Sequence, residues 1–250
     1  LEPVDGVSNL QIDWGDGVLT KAMTGNSAIT GVVPVANATV RIYGEAESIG
    51  IFRCPENGLT ALDVSRLVKL EELWCDKNEL TFLDLSRLVN LKEMGCQKNK
   101  LTALELGTLT QLTRINCFEN EFSTLDVSKN PLLERFDCSD NRLTSLKLKG
   151  AISLDKLTFD GNLLTSVDLS GLPNVSTLHC ENNLFSLLDL TPLSGAGIIY
   201  CGQNPNLTEI QVKGLPLLKS LYVPGCLLLK VLDVSGSPKL NRLECPDGGI

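Results

Sequence analysis

Between Ile49 and Leu243 the hydrophobic and polar positions follow one recurring order. An apolar residue is followed by two variable positions, a second apolar residue, one variable position and then usually cysteine, with asparagine three residues further on. Clear copies are Leu70-x-x-Leu73-x-Cys75-x-x-Asn78-x-Leu80 and Leu91-x-x-Met94-x-Cys96-x-x-Asn99-x-Leu101. A second pattern recurs between these blocks, as in Leu59-Thr-Ala-Leu-Asp-Val-Ser65, Leu80-Thr-Phe-Leu-Asp-Leu-Ser86 and Leu164-Thr-Ser-Val-Asp-Leu-Ser170. There Leu62 and Val64, or Leu83 and Leu85, alternate with polar residues at period two, the mark of a short half-buried strand. The four or five residues left over, such as Arg66-Leu-Val-Lys69, provide for no more than a turn of helix. The pattern predicts two short parallel strands per repeat.

The spacing is strict. Cys54, Cys75, Cys96, Cys117 and Cys138 are 21 residues apart, Phe159 takes the next cysteine position, and Cys180 and Cys201 resume the interval. The two following repeats are 22 residues long and bring Val223 and then Cys245 to that position. Asparagine runs alongside as Asn57, Asn78, Asn99, Asn120, Asn141, Asn162, Asn183 and Asn204, and gives way to Cys226 and Gly248.

Self-similarity at a period of roughly 20–29 residues around L-x-x-L-x-L/C-x-x-N is the leucine-rich-repeat signature. The expected fold is therefore an α/β-type but β-rich repeat solenoid, a right-handed leucine-rich-repeat superhelix of about ten coils spanning residues 49–250. Residues 1–48 lack the repeat and read as a β-rich N-terminal cap over the apolar end of the first coil, which open solenoids require. Within them Gln11–Trp14, the Gly15-Asp-Gly17 turn and Val18–Thr20 predict a hairpin, with further strands at Gly31–Val35 and Thr39–Tyr43. The cysteine-containing 21-residue repeat with its L-T-x-L-D-V-S segment resembles internalin J-like and Bacteroidetes-type bacterial leucine-rich-repeat surface proteins. The resemblance implies adhesion or protein binding at a bacterial surface, without catalysis.

Composition narrows the function classes. A net charge of −8 without a basic stripe argues against nucleic acid. No 18-residue apolar run is present, so no membrane span is expected. The opening Leu1–Asp5 carries neither a basic segment nor an apolar one, as a mature secreted chain would not. The motifs G-x-S-x-G, G-x-x-x-x-G-K-S/T, H-E-x-x-H and C-x-x-C are all missing from the sequence.

Nine cysteines would suggest a disulfide scaffold in a small secreted domain. Here the register stacks them on adjacent parallel strands about 4.8 Å apart, where a bridge would be forced off its preferred dihedral. They read as buried reduced thiols, and a linear ladder does not make a tetrahedral metal site. Cys226, in an asparagine position, is the one candidate for a reactive thiol. The asparagines read as scaffold that satisfies backbone groups of neighbouring coils. The aspartates Asp63, Asp84, Asp126, Asp168, Asp189 and Asp233 form an outward file that either holds calcium or accepts hydrogen bonds from the following turn, the latter reading being favoured. No cofactor and no metal are expected.

Function must then lie in the variable outward positions. The residue between leucine and cysteine reads Arg53, Trp74, Gly95, Asn116, Asp137, Thr158, His179, Tyr200, Tyr222 and Glu244 along the chain. His179, Tyr200 and Tyr222 with Ile198 form the principal candidate ligand-binding patch, since adjacent exposed aromatics are enriched at contact sites. Trp74 with Phe118 is a second candidate, and Arg114, Arg135 and Lys156 make a short basic column. His179 is the only histidine, and Glu181 is the one nearby carboxylate that could orient it. The sequence thus points to a non-catalytic extracellular or cell-surface recognition module for a protein or glycan, anchored by lipid or cell wall if at all. The rival is a spacer or stalk with no binding site of its own.

Overall fold

The structure, a computed structural model, describes residues 49–245 together with residues 2–3, 11–13, 19–21 and 41–43. The expected Gly15–Gly17 turn and the strand at Gly31–Val35 lie outside the described residues. The chain forms two compact units, Leu1–Glu121 and Phe122–Ile250.

In the first unit, β1 (Glu2–Pro3) runs antiparallel to β5 (Ile49–Arg53). Strands β2 (Gln11–Asp13), β3 (Leu19–Lys21) and β4 (Arg41–Tyr43) form a separate antiparallel sheet in the order β3-β2-β4. The pairing of Gln11 with Lys21 and Asp13 with Leu19 is that of the expected hairpin. From β5 the signature strands continue in parallel as β6 (Glu72–Trp74), β7 (Glu93–Gly95) and β8 (Arg114–Asn116).

In the second unit the signature strands are β10 (Arg135–Asp137), β12 (Lys156–Thr158), β13 (Thr177–His179), β15 (Ile198–Tyr200), β17 (Ser220–Tyr222) and β19 (Arg242–Glu244), parallel and in that order. A second row holds β9 (Thr124–Asp126) with β11 (Ser145–Lys147), and β14 (Leu187–Asp189) with β16 (Glu209–Gln211) and β18 (Val231–Asp233). This is a leucine-rich-repeat β-solenoid, with no helix among the described residues. The short links between strands are turns, such as Leu67 N–H to the Val64 carbonyl and Leu70 N–H to the Leu67 carbonyl, both at 2.9 Å.

The second strand is less regular than the alternation predicts. No strand forms at 62–64, 83–85, 104–106 or 166–168, although Leu83 and Leu85 are buried and Phe82 and Asp84 exposed as period two requires. Alternation fixes which face a side chain takes; a ladder also needs neighbouring backbones at hydrogen-bonding distance, which apolar burial alone does not set.

From β6 to β17 the middle residue of each signature strand enters the core, giving in-register stacks such as Leu73, Met94 and Ile115, whereas Leu243 of β19 is exposed. Each such side chain contributes roughly 1.5–3 kcal/mol by leaving water. Where Phe159 replaces cysteine, its ring meets Phe185 edge-on at 6.4 Å between centroids. The asparagines complete the scaffold: Asn99 donates from Nδ2 to the carbonyls of Cys75 and Cys96, and its Oδ1 accepts from Leu80 N–H, all at 3.0 Å. Asn78, Asn120, Asn162, Asn183 and Asn204 repeat the link to the preceding coil's carbonyl. The residue before each is left-handed, from Lys77 at φ +54° to Gln203 at φ +54°, with Gly161 at +62° before Asn162. That turn aims the amide inward.

All nine cysteines are free, eight of them buried and Cys245 partly exposed. Several bond across coils through sulfur: Cys138, Cys180 and Cys201 donate to the carbonyls of Thr158, Tyr200 and Tyr222 at 3.4–3.6 Å. Burial pushes the Cys54 thiol up to about 12 and those of Cys75, Cys96, Cys138, Cys180 and Cys201 well above the ordinary range. Cys226 is not the reactive exception expected from its position. It is buried, its thiol is held up by burial, and its Sγ donates to the Cys201 carbonyl at 3.5 Å, the kind of acceptor the asparagines use. A thiol without access and without its thiolate form is inert.

The aspartate file accepts hydrogen bonds from its own turns. Asp63, Asp84, Asp126, Asp168 and Asp233 take the N–H of the serine two residues on, and Asp189 takes that of Thr191, at 2.9–3.0 Å.

Candidate functional site

The parallel register of the second unit decides what the variable positions do. Thr158, His179, Tyr200 and Tyr222 are direct partners across β12, β13, β15 and β17. In-register parallel strands repeat at about 4.8 Å, which is close to the separation of stacked rings, so identical rotamers place ring on ring. His179 and Tyr200 stack with centroids 4.3 Å apart and planes 15° apart. Tyr200 and Tyr222 follow at 4.4 Å and 7°. The Arg242 guanidinium closes the far end, 5.0 Å from the Tyr222 centroid. Ile198 lies on the same strand as Tyr200, two residues before it, and is half-buried like the rings.

The change of repeat length at this place leaves the stack intact. Tyr200 to Tyr222 spans 22 residues, yet the two are partners. Strand β13 leads β14 by ten residues (177 to 187), whereas β15 leads β16 by eleven (198 to 209). The extra residue is therefore absorbed in the Asn204–Thr208 turn, where Leu207 N–H bonds the Asn204 carbonyl at 3.1 Å.

Trp74 and Phe118 are in the first unit, each with its own neighbours. Trp74 Nε1 donates to Glu72 Oε2 at 3.2 Å, and the same oxygen accepts from Arg53 at 2.8 Å. The indole lies over Gly95, where a β-carbon would come within 2.5 Å of Trp74 Cε3. Phe118 has Lys98 Nζ at 5.7 Å from its centroid. Of the basic column, Arg114 pairs with Glu93 at 3.2 Å, while Arg135 and Lys156 are exposed strand partners.

Sequence reasoning named Glu181 beside His179 and missed Asp160 as its neighbour across the coil. Asp160 Oδ2 is 3.8 Å from His179 Nδ1, and Asp160 Oδ1 accepts the Glu181 N–H at 2.6 Å. Asp160, His179 and Glu181 each bring a donor atom into one group, all within 4.8 Å of one another. Burial is the main cause that raises the Asp160 carboxyl to about 7; the Glu181 N–H opposes it, and the charges of Glu181, Asp137 and Asp140 add to it. Burial likewise lowers His179, against the pull of Glu181 and Asp137. The available signal was register: Asp160 follows Thr158 by two residues, and Thr158 is the strand partner of His179.

No protein-family description and no curated protein matches the chain in sequence. Solved structures do match in fold. YopM from Yersinia enterocolitica is 24% identical with a TM-score of 0.68, covering 80% of this chain and 42% of that one. Internalin C2 from Listeria monocytogenes is 19% identical with a TM-score of 0.59, covering 80% and 81%. The functional domain of InlJ from Listeria monocytogenes, described as including a cysteine ladder, is 24% identical with a TM-score of 0.37, covering 80% and 63%. The chain thus spans less than two thirds of the YopM and InlJ chains. It shares the leucine-rich-repeat solenoid fold of YopM and internalin C2.

Proposed function

We propose that the chain is a non-catalytic recognition module whose second unit docks a protein ligand on its signature-strand face, at His179, Tyr200 and Tyr222. The observation that carries this reading is the ring stack itself. Stacked at 4.3–4.4 Å, the inner faces are spent on one another, and Arg242 covers the outer face of Tyr222. Apart from the outer face of the His179 imidazole, what remains open is a row of ring edges with tyrosine hydroxyls. Sugar rings bind aromatic faces, so this arrangement suits a glycan poorly. A rigid strip of edges and hydroxyls suits a protein surface, where tyrosine and arginine anchors dominate the binding energy.

Residues 1–48 act in this reading as the cap of the first unit, a role supported by the pairing of β1 with β5. A surface or secreted location fits it, and no described helix is long and apolar enough to cross a membrane.

The test is a protein array and a glycan array probed side by side with the chain and with the Tyr200→Ala/Tyr222→Ala variant. The expected result is protein binding that weakens at least about tenfold in the variant, as for loss of a contact hot spot. Protein binding that is identical in both, at unchanged thermal midpoint, overturns the reading and leaves the chain as a spacer.

A further inference from the structure

The Asp160–His179–Glu181 group has a geometry that neither the docking reading nor ordinary surface pairing uses. Its three residues come from two adjacent coils and are half-buried. Two of them are already oriented. The His179 ring is held in plane by Tyr200. The Asp160 carboxylate is tethered through Oδ1 to the Glu181 N–H, which leaves Oδ2 turned toward the imidazole. At 3.8 Å, Oδ2 and Nδ1 are too far apart for a hydrogen bond. They stand at a separation that one ion could span, given ligand bonds of about 2.0–2.2 Å.

We propose that Asp160, His179 and Glu181 form a binding site for a first-row divalent transition-metal ion of the zinc class, with three protein ligands and at least one open position. The donor set selects the class. An imidazole nitrogen with two carboxylate oxygens suits zinc and its neighbours. Calcium needs roughly six to eight oxygens and does not take imidazole readily. Two carboxylates are brought together here with further negative charge from Asp137 and Asp140, so a dication is the partner that the local field favours. No cysteine belongs to a group of donor atoms close enough to hold an ion among the described residues, and eight of the nine are buried.

The test uses zinc alone, with no protein ligand present, so its result is independent of whether the stack docks a partner. Zinc chloride is titrated by calorimetry into the chelator-treated full chain. The expected result is one saturable site, unchanged in Cys245→Ser. It weakens by more than roughly tenfold in each of Asp160→Asn, His179→Gln and Glu181→Gln, since even outer-shell changes reach that size. Because His179 is the only histidine in the chain, its ring 15N signals report on the wild-type protein directly. They should shift with the first equivalent of zinc. Saturable binding that leaves the His179 signals unmoved, or that survives His179→Gln, overturns the proposal. So does the lack of saturable zinc binding, or preferential binding of calcium at the same residues.

Discussion

Asparagine and cysteine carry the repeat, and each does so through the backbone. A ladder asparagine joins two carbonyls and one N–H that no strand partner reaches, as Asn99 does for Cys75, Cys96 and Leu80. Asn99→Ala should therefore destabilise the protein by about 1–3 kcal/mol, because the Leu80 N–H loses its acceptor while the Cys75 and Cys96 carbonyls keep Asn78 and Asn120 as donors, read from the shift of the urea midpoint. A change within about 0.5 kcal/mol would show that water replaces the amide. These roles were legible in the sequence because strict spacing leaves them no alternative. The role of Cys226 was not. Position alone suggested a reactive thiol, whereas the sulfur serves the carbonyl of Cys201 as a weak donor.

At the level of the strand, register decides more than composition. The in-line order Thr158, His179, Tyr200, Tyr222 follows from counting residues, and so does the stack. Asp160 escaped because the count compares equivalent positions, and its partner His179 is 19 residues away, diagonally across the coil. Missing second strands escaped for another reason: period two reports a face, not a backbone distance. Strand β7 gives a direct check on packing. Gly95 leaves room for the Trp74 ring, so Gly95→Ala must push the indole outward. In a Trp14→Phe background, its fluorescence should move to longer wavelength with only a small change in stability. An unmoved spectrum would place the ring elsewhere.

Across the whole molecule, the chemistry of the outward file and of the core sets two bulk responses. Hydrogen bonds from the following serines hold Asp63, Asp126, Asp168 and Asp233 below their ordinary 3.8, and Asp84 likewise, chiefly through the Ser86 N–H. A depressed folded-state value stabilises the fold above the unfolded-state value, and that contribution disappears as pH falls through the folded one. The thermal midpoint should thus fall progressively below about pH 4, and less so when Asp84 and Asp168 are both changed to asparagine. A midpoint flat to pH 2 would exclude these links. The thiols give the second response: the native chain should label quickly at Cys245 only, and at all nine cysteines once denatured. Fast labelling at a second site would mean an open coil.

The Asn204–Thr208 turn has a meaning beyond its own repeat. Since an added residue there leaves Tyr200 and Tyr222 in line, this corner tolerates a change of length without disturbing the face across from it. Peptide tags or reporter loops inserted after Asn204 should be silent for the aromatic strip, whereas a single residue added between Leu218 and Ser220 would slide Tyr222 out of line.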